Sequence, residues 1–414
     1  MEWGLERVQA ALDEIGNPQR GYPTIHVAGT NGKGSVAATI AAVLTTGRLR
    51  AGLYTSPHLC SFRERFQVSG RPVPEERLIA AADSIKDVVM RERLTFFEAA
   101  TVLAFHVFAR ERVDVAVIEV GLGGRLDATN VVRPEVSVIT NIAMDHADFL
   151  GNTLQHIAAE KAGIAKEGVP LVTGETDPAV LAVLERACAE AGAPFHPLAP
   201  SRVRDVRVTR AETSFTADTG GWGPLQLTTP LIGAHQAMNV ALAVDALERL
   251  PPDLRPPLRA VVTGVDEVYW PGRNQIEEID GRTWLLDVAH NVAGARSLCE
   301  LLDRLELPRP WVALLGALAD KEWKAMLGPV LHRVDRAVLT QPPSAPHERR
   351  WDLRDAEAAL RSFAVQDSLA AESDFERAFG RAQSATAMGT VIVTGSSHTV
   401  GDVMRLLQRC PFGG

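Results

Sequence analysis

The stretch TIHVAGTNGKGSVAATIAAVL, residues 24–44, largely determines the fold of this chain. A short β-branched run leads into the glycine-rich turn GTNGKGS at 29–35, and an apolar helical segment follows the turn directly. The N–H groups of such a turn and the helix N-terminus bind phosphate, while Lys33 can reach terminal phosphates and Ser35 can ligate Mg2+. The sequence matches the GxxxxGKS/T formula only in part. The strand, the lysine, the serine and the helix nevertheless occur in the order that a phosphate loop requires. We therefore interpret 29–35 as a phosphate loop.

Short β-branched runs alternate with longer amphipathic segments on both sides of this loop, a pattern typical of βα units and a largely parallel sheet. The strands predicted in the first half are residues 24–29, 51–56, 114–120 and 135–142. Those predicted in the second half lie within WLLDVAHN (284–291), WVALLGAL (311–318), RAVLTQ (336–341) and GTVIVTGSS (389–397). From 195 to 229, alternating polar and apolar residues predict an antiparallel meander.

Proline and glycine interrupt every periodic pattern around PPDLRPP (251–257) and YWPGRNQ (269–275), which predicts a stiff linker and hinge there. We expect an α/β protein with two domains. Residues 1–272 would form a mostly parallel sheet that carries the phosphate loop and a small antiparallel β addition. Residues 273–414 would form a smaller, Rossmann-like α/β domain.

Composition excludes several classes of protein. The chain has 414 residues, 43 Lys plus Arg, 51 Asp plus Glu and a formal charge of -8, which disfavours a broad nucleic-acid surface. Its longest nearly apolar stretch, Ala99–Ala109, is shorter than the roughly 20 residues that span a bilayer. Because Cys60, Cys188, Cys299 and Cys410 lie far apart in the sequence, we expect reduced thiols in a cytoplasmic protein with no membrane partner.

Polar residues near the ends of predicted strands mark a candidate metal site, since ligands of parallel sheets bind beyond the carboxyl ends of strands. Ser56, Glu119 and the pair Asp145–His146 fall there. An acid at the end of an apolar strand is costly to bury unless it is paired or meets a cation, so Glu119 is the leading ligand. The alternative is a structural acid that caps the following turn. Between Asp145 and His146, residue chemistry leaves the choice of metal ligand open.

Eight motifs, taken together, resemble one enzyme family. They are VAGTNGKGS (27–35), YTSPHL (54–59), LTFFEAAT (94–101), IEVGLGGRLDATN (118–130), MDHADFLG (144–151), EKAGI (160–164), WPGR (270–273) and DVAHN (287–291). In this order they closely resemble folylpolyglutamate synthase/dihydrofolate synthase of the Mur ligase superfamily. The resemblance extends over essentially the whole chain.

The resemblance implies roles for residues on both sides of a cleft. ATP-binding residues would be Gly32, Lys33, Gly34, Ser35, Asn239, Arg273 and Asp287. Two Mg2+ ions would be ligated by Ser56, Glu119 and His146. Lys161, which would otherwise be expected to be an exposed helical lysine, matches a lysine that is carbamylated in this family. His290 matches a glutamate-binding position, so Lys33, Lys161 and His290 are the expected catalytic residues.

For the pterin-bearing substrate, the resemblance points to three stretches: Gly4, Leu5 and Glu6; Thr95, Phe96, Phe97 and Glu98; and Leu126, Asp127 and Ala128. The two phenylalanines could stack on a flat ring, and Glu98 or Asp127 could pair with ring N–H donors. Ordinary core packing of the two phenylalanines is the open alternative.

The resemblance implies a monomeric ligase that uses ATP and Mg2+ to join L-glutamate to folates through an acyl phosphate. GGRLDATN (123–130) is more similar to bacterial enzymes that also accept dihydropteroate, so we expect a bifunctional enzyme. A monofunctional folylpolyglutamate synthase and a non-catalytic nucleotide- or folate-binding relative are the alternatives. Departures from the family at Asn274, Val288, Ser397 and His398 leave the details of glutamate binding open.

Overall fold

The structure, a computed structural model, describes residues 4–365 and 368–413, with only the backbone described at Ala147 and Asp148. Its α-helices are α1 (Glu6–Glu14), α2 (Lys33–Thr46), α3 (Glu75–Arg91), α4 (Phe96–Arg110), α5 (Ala147–Leu150), α6 (Leu154–Ala162), α7 (Pro178–Ala191), α8 (Ala234–Glu248), α9 (Leu258–Asp266), α10 (Val292–Arg304), α11 (Trp323–Leu331), α12 (Leu353–Leu360), α13 (Phe375–Thr386) and α14 (Ser397–Leu406). Short 3-10 helices cover Pro18–Arg20, Phe62–Arg65, Ala128–Val131, Pro200–Arg202, His347–Arg349 and Arg361–Phe363.

The first sheet has eight strands: β1 (Thr24–Ala28), β2 (Ala51–Tyr54), β3 (Phe66–Val68), β4 (Arg71–Pro72), β5 (Val115–Glu119), β6 (Val136–Ile139), β7 (Leu171–Thr173) and β8 (Phe195–Pro197). Their order is β4-β3-β2-β5-β1-β6-β7-β8, and all pairs are parallel except β2–β3 and β3–β4. Strand β1 therefore lies at the centre, and the loop that follows it emerges beside the ends of β5 and β6.

The remaining strands form two further sheets. An antiparallel sheet contains β9 (Val203–Val208), β10 (Thr213–Asp218) and β11 (Pro224–Thr229). A six-stranded sheet contains β12 (Gln275–Ile279), β13 (Arg282–Leu286), β14 (Trp311–Leu315), β15 (Arg336–Leu339), β16 (Leu369–Ala371) and β17 (Thr390–Thr394), in the order β12-β13-β17-β14-β15-β16. Only the hairpin β12–β13 is antiparallel in it. The predicted α/β class is confirmed.

The meander begins later than predicted. Strand β8 pairs in parallel with β7 and belongs to the first sheet, so the antiparallel sheet starts at Val203 and not at 195. The prediction was wrong there because β8 has only three residues. An alternation of polar and apolar residues over so short a strand does not show which strand it pairs with.

The predicted linker contains a helix that packs on the first domain. Val261 and Val265 of α9 are fully buried in one apolar cluster with Ile40 and Val43 of α2. A side chain at Gly264 would lie 2.5 Å from the Val43 Cα, so the two helices meet backbone to backbone. Burying each such aliphatic side chain contributes about 1.5–3 kcal/mol. Residues 258–266 are therefore part of the first core, and a free connection between the sheets is confined to the short segment after α9.

A disulfide bond joins the loop after β2 to the segment that follows α14. Cys60, in the loop after β2, is bonded to Cys410, which follows α14, and their Cα atoms are 5.8 Å apart. Arg405 of α14 donates to the Cys60 carbonyl at 2.7 Å and brings the helix against this loop. The prediction that all four thiols are reduced is wrong for this pair, because separation in sequence does not fix distance in the fold. Cys188 and Cys299 are free and buried.

Among the described residues, no helix combines the length and the apolar character that a membrane span requires.

Candidate active site

A cavity of about 210 Å³ lies between the first sheet and the C-terminal sheet. Its lining contains every residue for which the sequence predicted a nucleotide, metal or catalytic role: Gly32, Lys33, Gly34, Ser35, Ser56, Glu119, His146, Lys161, Asn239, Arg273, Asp287 and His290. Residues separated by more than 250 positions in the sequence thus meet in one place. The three predicted pterin stretches are not part of this lining, although Gly121 and Leu122, close to the third stretch, are.

The phosphate loop is shaped by two glycines. Gly32, just before α2, has a φ of 81°, and a side chain there would also lie 2.6 Å from the Asn239 Oδ1. At Gly34 a Cβ would lie 2.5 Å from the Trp270 ring, which covers the first turn of α2. Lys33 folds back, and its Nζ donates to the carbonyls of Gly29 and Thr30 at 3.3 Å each. The loop therefore presents backbone N–H groups and a lysine to the cavity.

Oxygen ligands suited to a hard cation lie beside this loop. Glu119 ends β5, is 4% exposed and accepts a hydrogen bond from the Ser56 N–H at 3.1 Å. Burial raises the pKa of Glu119, and the charge of Lys33 acts in the opposite direction. The buried Ser35 Oγ has no hydrogen-bond partner among the described residues. A carboxylate with little protein hydrogen bonding and an unpaired hydroxyl fit Mg2+, which is normally completed by water and phosphate oxygens.

His146 lies at the same edge of the sheet, with a φ of 52°. Burial lowers its pKa to about 4, against the opposing effect of Asp145, so the imidazole is neutral at physiological pH. A neutral ring is the form that ligates a metal. Within the described residues, no group of three or more His, Cys, Asp or Glu forms a complete metal site. Glu119 and His146 could thus supply only part of a coordination shell.

Asp145, the alternative ligand, is already occupied by protein donors. Its side chain is 8% exposed, Oδ1 lies 2.6 Å from the Lys321 Nζ and Oδ2 lies 3.0 Å from the Asn291 Nδ2. Burial alone would raise the pKa of this carboxyl, but its hydrogen bond with His290 and the charges of His290, His146 and Lys321 hold the pKa well below its usual range. Asp145 is therefore an ionised partner of the C-terminal sheet.

Lys161 is buried, unlike the exposed helical lysine that its place in the sequence would suggest. It is 4% exposed near the end of α6, and its Nζ donates to the Gly29 carbonyl at 2.8 Å. Burial, reinforced by the charge of Lys33, lowers its pKa to about 7. A neutral amine thus becomes available near neutral pH at the base of the phosphate loop.

The C-terminal side of the cavity is built on the turn after β13. Asp287 is buried and accepts hydrogen bonds from the N–H groups of Asn274 at 2.8 Å and Ala289 at 2.9 Å. Burial raises the pKa of this carboxyl. His290 is held by an Nδ1 contact of 3.0 Å with the Val288 carbonyl. The turn therefore fixes both the acid and the imidazole towards the cavity.

Two of the departures from the family have structural roles. Asn274 has a φ of 48°, a left-handed conformation that asparagine tolerates better than an apolar residue does, and its Nδ2 donates to the Ile232 carbonyl at 3.0 Å. Val288 is 5% exposed and packs in an apolar cluster with Leu59 and Val400, which closes the contact between the two sheets.

The first two pterin stretches lie side by side. Gly4 and Leu5 lead into α1, and Glu6 begins that helix. Thr95 caps α4, and the Thr95 N–H donates a hydrogen bond to the Glu98 carboxylate at 2.7 Å. Arg7 of α1 donates to the other Glu98 oxygen at 2.9 Å and joins the two stretches.

The aromatic pair of α4 is divided between core and surface. Phe97 packs on the strand end, since a side chain at Gly121 would overlap its ring. Phe96 is 65% exposed, and its ring lies 5.6 Å from that of Phe62, with the Arg65 guanidinium 5.5 Å from its centre. Core packing thus describes Phe97 but not Phe96, which exposes most of its ring beside Phe62 and Arg65.

The third stretch, Leu126–Ala128, leads into the 3-10 helix Ala128–Val131, which touches both α1 and α4. Asp127 is 4% exposed and accepts hydrogen bonds from the N–H groups of Thr129 at 3.0 Å and Leu122 at 2.8 Å. Its carboxylate therefore caps that helix and orders the turn beside the cavity.

Sequence reasoning missed Lys321, Asn291 and Trp270. Lys321 follows β14 by a few residues, so the same rule that selected residues after strand ends would have found it. Asn291 and Trp270 belong to the quoted motifs DVAHN and WPGR but received no role. Their contacts cross between parts of the chain that the sequence does not show to be close.

Two family descriptions match the chain. Residues 27–247 match the Mur ligase middle domain, and residues 272–397 match the Mur ligase glutamate ligase domain. Dihydrofolate synthase/folylpolyglutamate synthase of Bacillus subtilis is 33% identical over 418 residues, covering 98% of this chain and 95% of that protein. A probable bifunctional folylpolyglutamate synthase/dihydropteroate synthase of Haloferax volcanii is 35% identical over 96% of this chain, which spans only 48% of that longer protein.

Solved structures agree with these relatives. A Mycobacterium tuberculosis folylpolyglutamate synthase, complexed with ADP and AMPPCP, has a TM-score of 0.90 and 33% identity over 98% of this chain and 96% of that chain. Escherichia coli FolC, in complex with DHPP and ADP, has a TM-score of 0.86 and 32% identity over 99% of this chain and 94% of that chain. The chain therefore belongs to the folylpolyglutamate synthase/dihydrofolate synthase family of Mur ligases.

Proposed function

We propose that this protein is an ATP-dependent ligase that joins L-glutamate to the carboxylate of folates and also of dihydropteroate. The observation that carries this proposal is the single cavity in which the phosphate loop of one sheet faces Asp287 and His290 of the other. The names of the relatives and the nucleotide complexes of the similar structures support the same activity. Acceptance of dihydropteroate is supported by the bifunctional names among the relatives.

The reaction replaces a poor leaving group on a carboxylate. The acceptor carboxylate attacks the γ-phosphorus of ATP, ADP leaves, and an acyl phosphate forms. The amine of L-glutamate then attacks the acyl carbon, phosphate leaves with one former carboxylate oxygen, and the amine loses a proton. Lys33 and the loop N–H groups stabilise the charge on the transferring phosphoryl group. Because residues of both sheets line the cavity, bound substrates would limit the access of water that could hydrolyse the intermediate.

We assign the metal site to Ser35, Ser56, Glu119 and His146, which would hold Mg2+ on the phosphate side of the cavity. A bound Mg2+ neutralises phosphate charge and orients the phosphates. The buried, weakly hydrogen-bonded Glu119 and the unpaired Ser35 hydroxyl support this assignment. Asp145 is left out of this set of ligands, since it is paired with Lys321.

We assign a carbamate to Lys161. A neutral lysine amine attacks CO2 and releases a proton, which converts a cation into an anion. The burial of Lys161 and its pKa of about 7 support this chemistry, because the unmodified cation is disfavoured beside Lys33. The product would be an anionic group beneath the phosphate loop, on the same side of the cavity as Glu119.

We assign the remaining nucleotide, glutamate and pterin contacts to residues on the two sides of the cavity. Asn239, Arg273 and Asp287 would contact the nucleotide opposite the phosphate loop, and His290 would bind L-glutamate. The pterin would lie against the three stretches beside α1 and α4, where Phe96 offers an exposed ring. These placements are supported by the contacts between the stretches and by the position of Gly121 at the edge of the cavity.

We place the domain boundary at 272/273, between the helix α9 that packs on the first core and the hairpin β12–β13 of the second sheet. A monomer is sufficient, since one chain supplies both walls of the cavity. We propose a cytoplasmic enzyme because its substrates are cytoplasmic metabolites. The Cys60–Cys410 bond would then be an exception to the rule that the thiols of cytoplasmic proteins stay reduced.

The test measures the amide product by mass spectrometry with ATP, Mg2+ and L-glutamate, using dihydropteroate in one arm and a reduced folate in the other. We expect a glutamylated product in both arms. Lys33→Met should lower kcat by about 10²–10³, the typical cost of removing one charge-stabilising donor, whereas the exposed Lys86→Met should not. Product only with the folate would reject bifunctionality, and no glutamylated product in either arm would reject the ligase.

A further inference from the structure

Asp145 is the point at which the two sides of the cavity are tied together by charge. It follows β6 in the first sheet, yet its side-chain partners include three residues of the C-terminal part: Lys321 Nζ at 2.6 Å from Oδ1, and Asn291 Nδ2 and His290 Nε2 at 3.0 and 3.5 Å from Oδ2. Its side chain and that of Lys321 are 8% and 7% exposed. The ion pair is therefore almost fully shielded from solvent.

A buried pair of this kind is sensitive to the loss of either member. Removing one partner leaves an uncompensated buried charge, which destabilises the arrangement far more than loss of an exposed ion pair does. Asn291 extends the connection, since its Nδ2 also lies 2.9 Å from the Asn31 Oδ1 in the phosphate loop. The contact thus joins the turn after β13, the loop after β14 and the phosphate loop.

The same contact reaches the groups that we assign to catalysis. Asp145 is adjacent to His146, and the Lys321 Nζ lies 3.3 Å from the His146 Nε2. His290, which faces Asp145 from the other side, belongs to the turn that carries Asp287. The Asp145–Lys321 contact therefore fixes the distance between the phosphate loop and the turn that carries His290.

We propose that Asp145 and Lys321 are positioning residues of the ligase, a latch whose ion pair holds the C-terminal sheet in register over the phosphate loop so that bound glutamate meets the activated carboxylate. This inference rests on the proposed function. Neither residue is assigned a contact with the reacting atoms. Their effect passes through His290 and Asn291, which Asp145 contacts directly and Lys321 reaches through Asp145.

The kinetic test uses Lys321→Met, Asp145→Asn and the double variant, with the exposed Lys324→Met as the matched control. We expect each single variant to lower kcat/KM for L-glutamate by about tenfold or more and to raise KM for ATP by a smaller factor, because the phosphate loop keeps its own contacts while Arg273 and Asp287 move with the C-terminal side. The double variant should be no worse than the worse single variant, because the two side chains act as one unit. Lys324→Met should match the unchanged protein.

Two kinetic outcomes overturn the latch: losses that multiply in the double variant, or a Lys321→Met effect confined to KM for ATP, which would mark a direct nucleotide contact. Small-angle scattering supplies a readout that needs no turnover. We expect a larger radius of gyration for Lys321→Met than for Lys324→Met, and equal radii would also overturn the proposal. If the unchanged protein makes no amide, the ligase function fails, while the scattering comparison still tests the latch.

Discussion

Lys161, Glu119 and His146 owe their properties to burial. Each is an ionisable group whose charged form is disfavoured beside the cavity, so burial lowers the pKa of Lys161 and His146 and raises that of Glu119. As a result, His146 has a neutral imidazole and Lys161 has a reactive amine. The ionised carboxylate of Glu119 would be stabilised by a bound cation. Burying an ionisable group without an opposite charge beside it lowers the stability of the fold. Groups of this kind therefore indicate a functional site.

Lys161 provides a test at the scale of one residue. Because its pKa in the folded protein is about 7, the amine is protonated and carbamate formation is lost as the pH falls through that value. We expect ATP turnover to decline below about pH 7 and to recover in part with added bicarbonate. With 13C-labelled bicarbonate, NMR should show a carbamate resonance that is absent from Lys161→Met.

The stability of unmodified protein should follow the same residue. The unfolded state binds the Lys161 proton at higher pH than the native state does, so the free energy of unfolding contributed by this residue rises as the pH is raised above about 7. Lys161→Met should lack that contribution. A carbamate signal that persists in Lys161→Met, or turnover insensitive to bicarbonate depletion, would contradict the assignment.

At the scale of elements, the phosphate loop depends on a contact with the segment that connects the two sheets. Trp270 lies over Gly34 at the start of α2, so the connection reaches the nucleotide site directly. The glycine is required by space and not by a left-handed conformation, because Gly34 lies within α2 and does not have a positive φ. Any side chain at this position must displace the indole ring.

Gly34→Ala tests this contact. The added methyl would overlap the Trp270 ring, so we expect KM for ATP to rise by about tenfold, in line with the 1–3 kcal/mol typical of overpacking. Trp270→Ala in the same chain should restore part of the loss. Gly380→Ala in α13, where nothing lies within 4 Å, is the control and should leave turnover unchanged. An unaltered KM in Gly34→Ala would show that the ring does not constrain the loop.

Elements with strong local patterns could be predicted, and elements defined by their neighbours could not. The apolar runs of β1, β5, β14 and β17 identify buried parallel strands, since both faces are covered. The short strands β3 and β4, at one side of the first sheet, have few residues and take their structure from pairing, so composition does not reveal them. The sequence did not predict the helix α9, because the prolines on both sides of it indicate a linker. Its apolar face nevertheless packs on α2.

At the scale of the whole molecule, contacts between distant segments decide how the first sheet and the C-terminal sheet meet. The motifs predicted which residues line the cavity, because a resemblance to a family carries three-dimensional information. They did not predict the Asp145–Lys321 ion pair or the Cys60–Cys410 bond, since each depends on how two loops approach in space. Charge and cysteine spacing along the chain contain no signal for either.

The disulfide gives a prediction for the whole chain. Non-reducing peptide mapping should recover the segments around Cys60 and Cys410 as one linked species. Cys60→Ser/Cys410→Ser should lower the free energy of unfolding by about 2–5 kcal/mol relative to the oxidised protein, because the bond constrains the unfolded chain. Reductant should remove this difference and should leave the variant unchanged. Two unlinked peptides from protein prepared without reductant would contradict the bond.

The most direct test of amide ligation through an acyl phosphate follows the oxygen atoms of the acceptor. With both carboxylate oxygens of the pteroyl acceptor labelled with 18O, the phosphate released with ATP, Mg2+ and L-glutamate should contain a single labelled oxygen, and the amide should retain the other. Labelled phosphate that appears together with the glutamylated product is the result we expect. Unlabelled phosphate released alongside that product would contradict carboxylate activation by phosphoryl transfer.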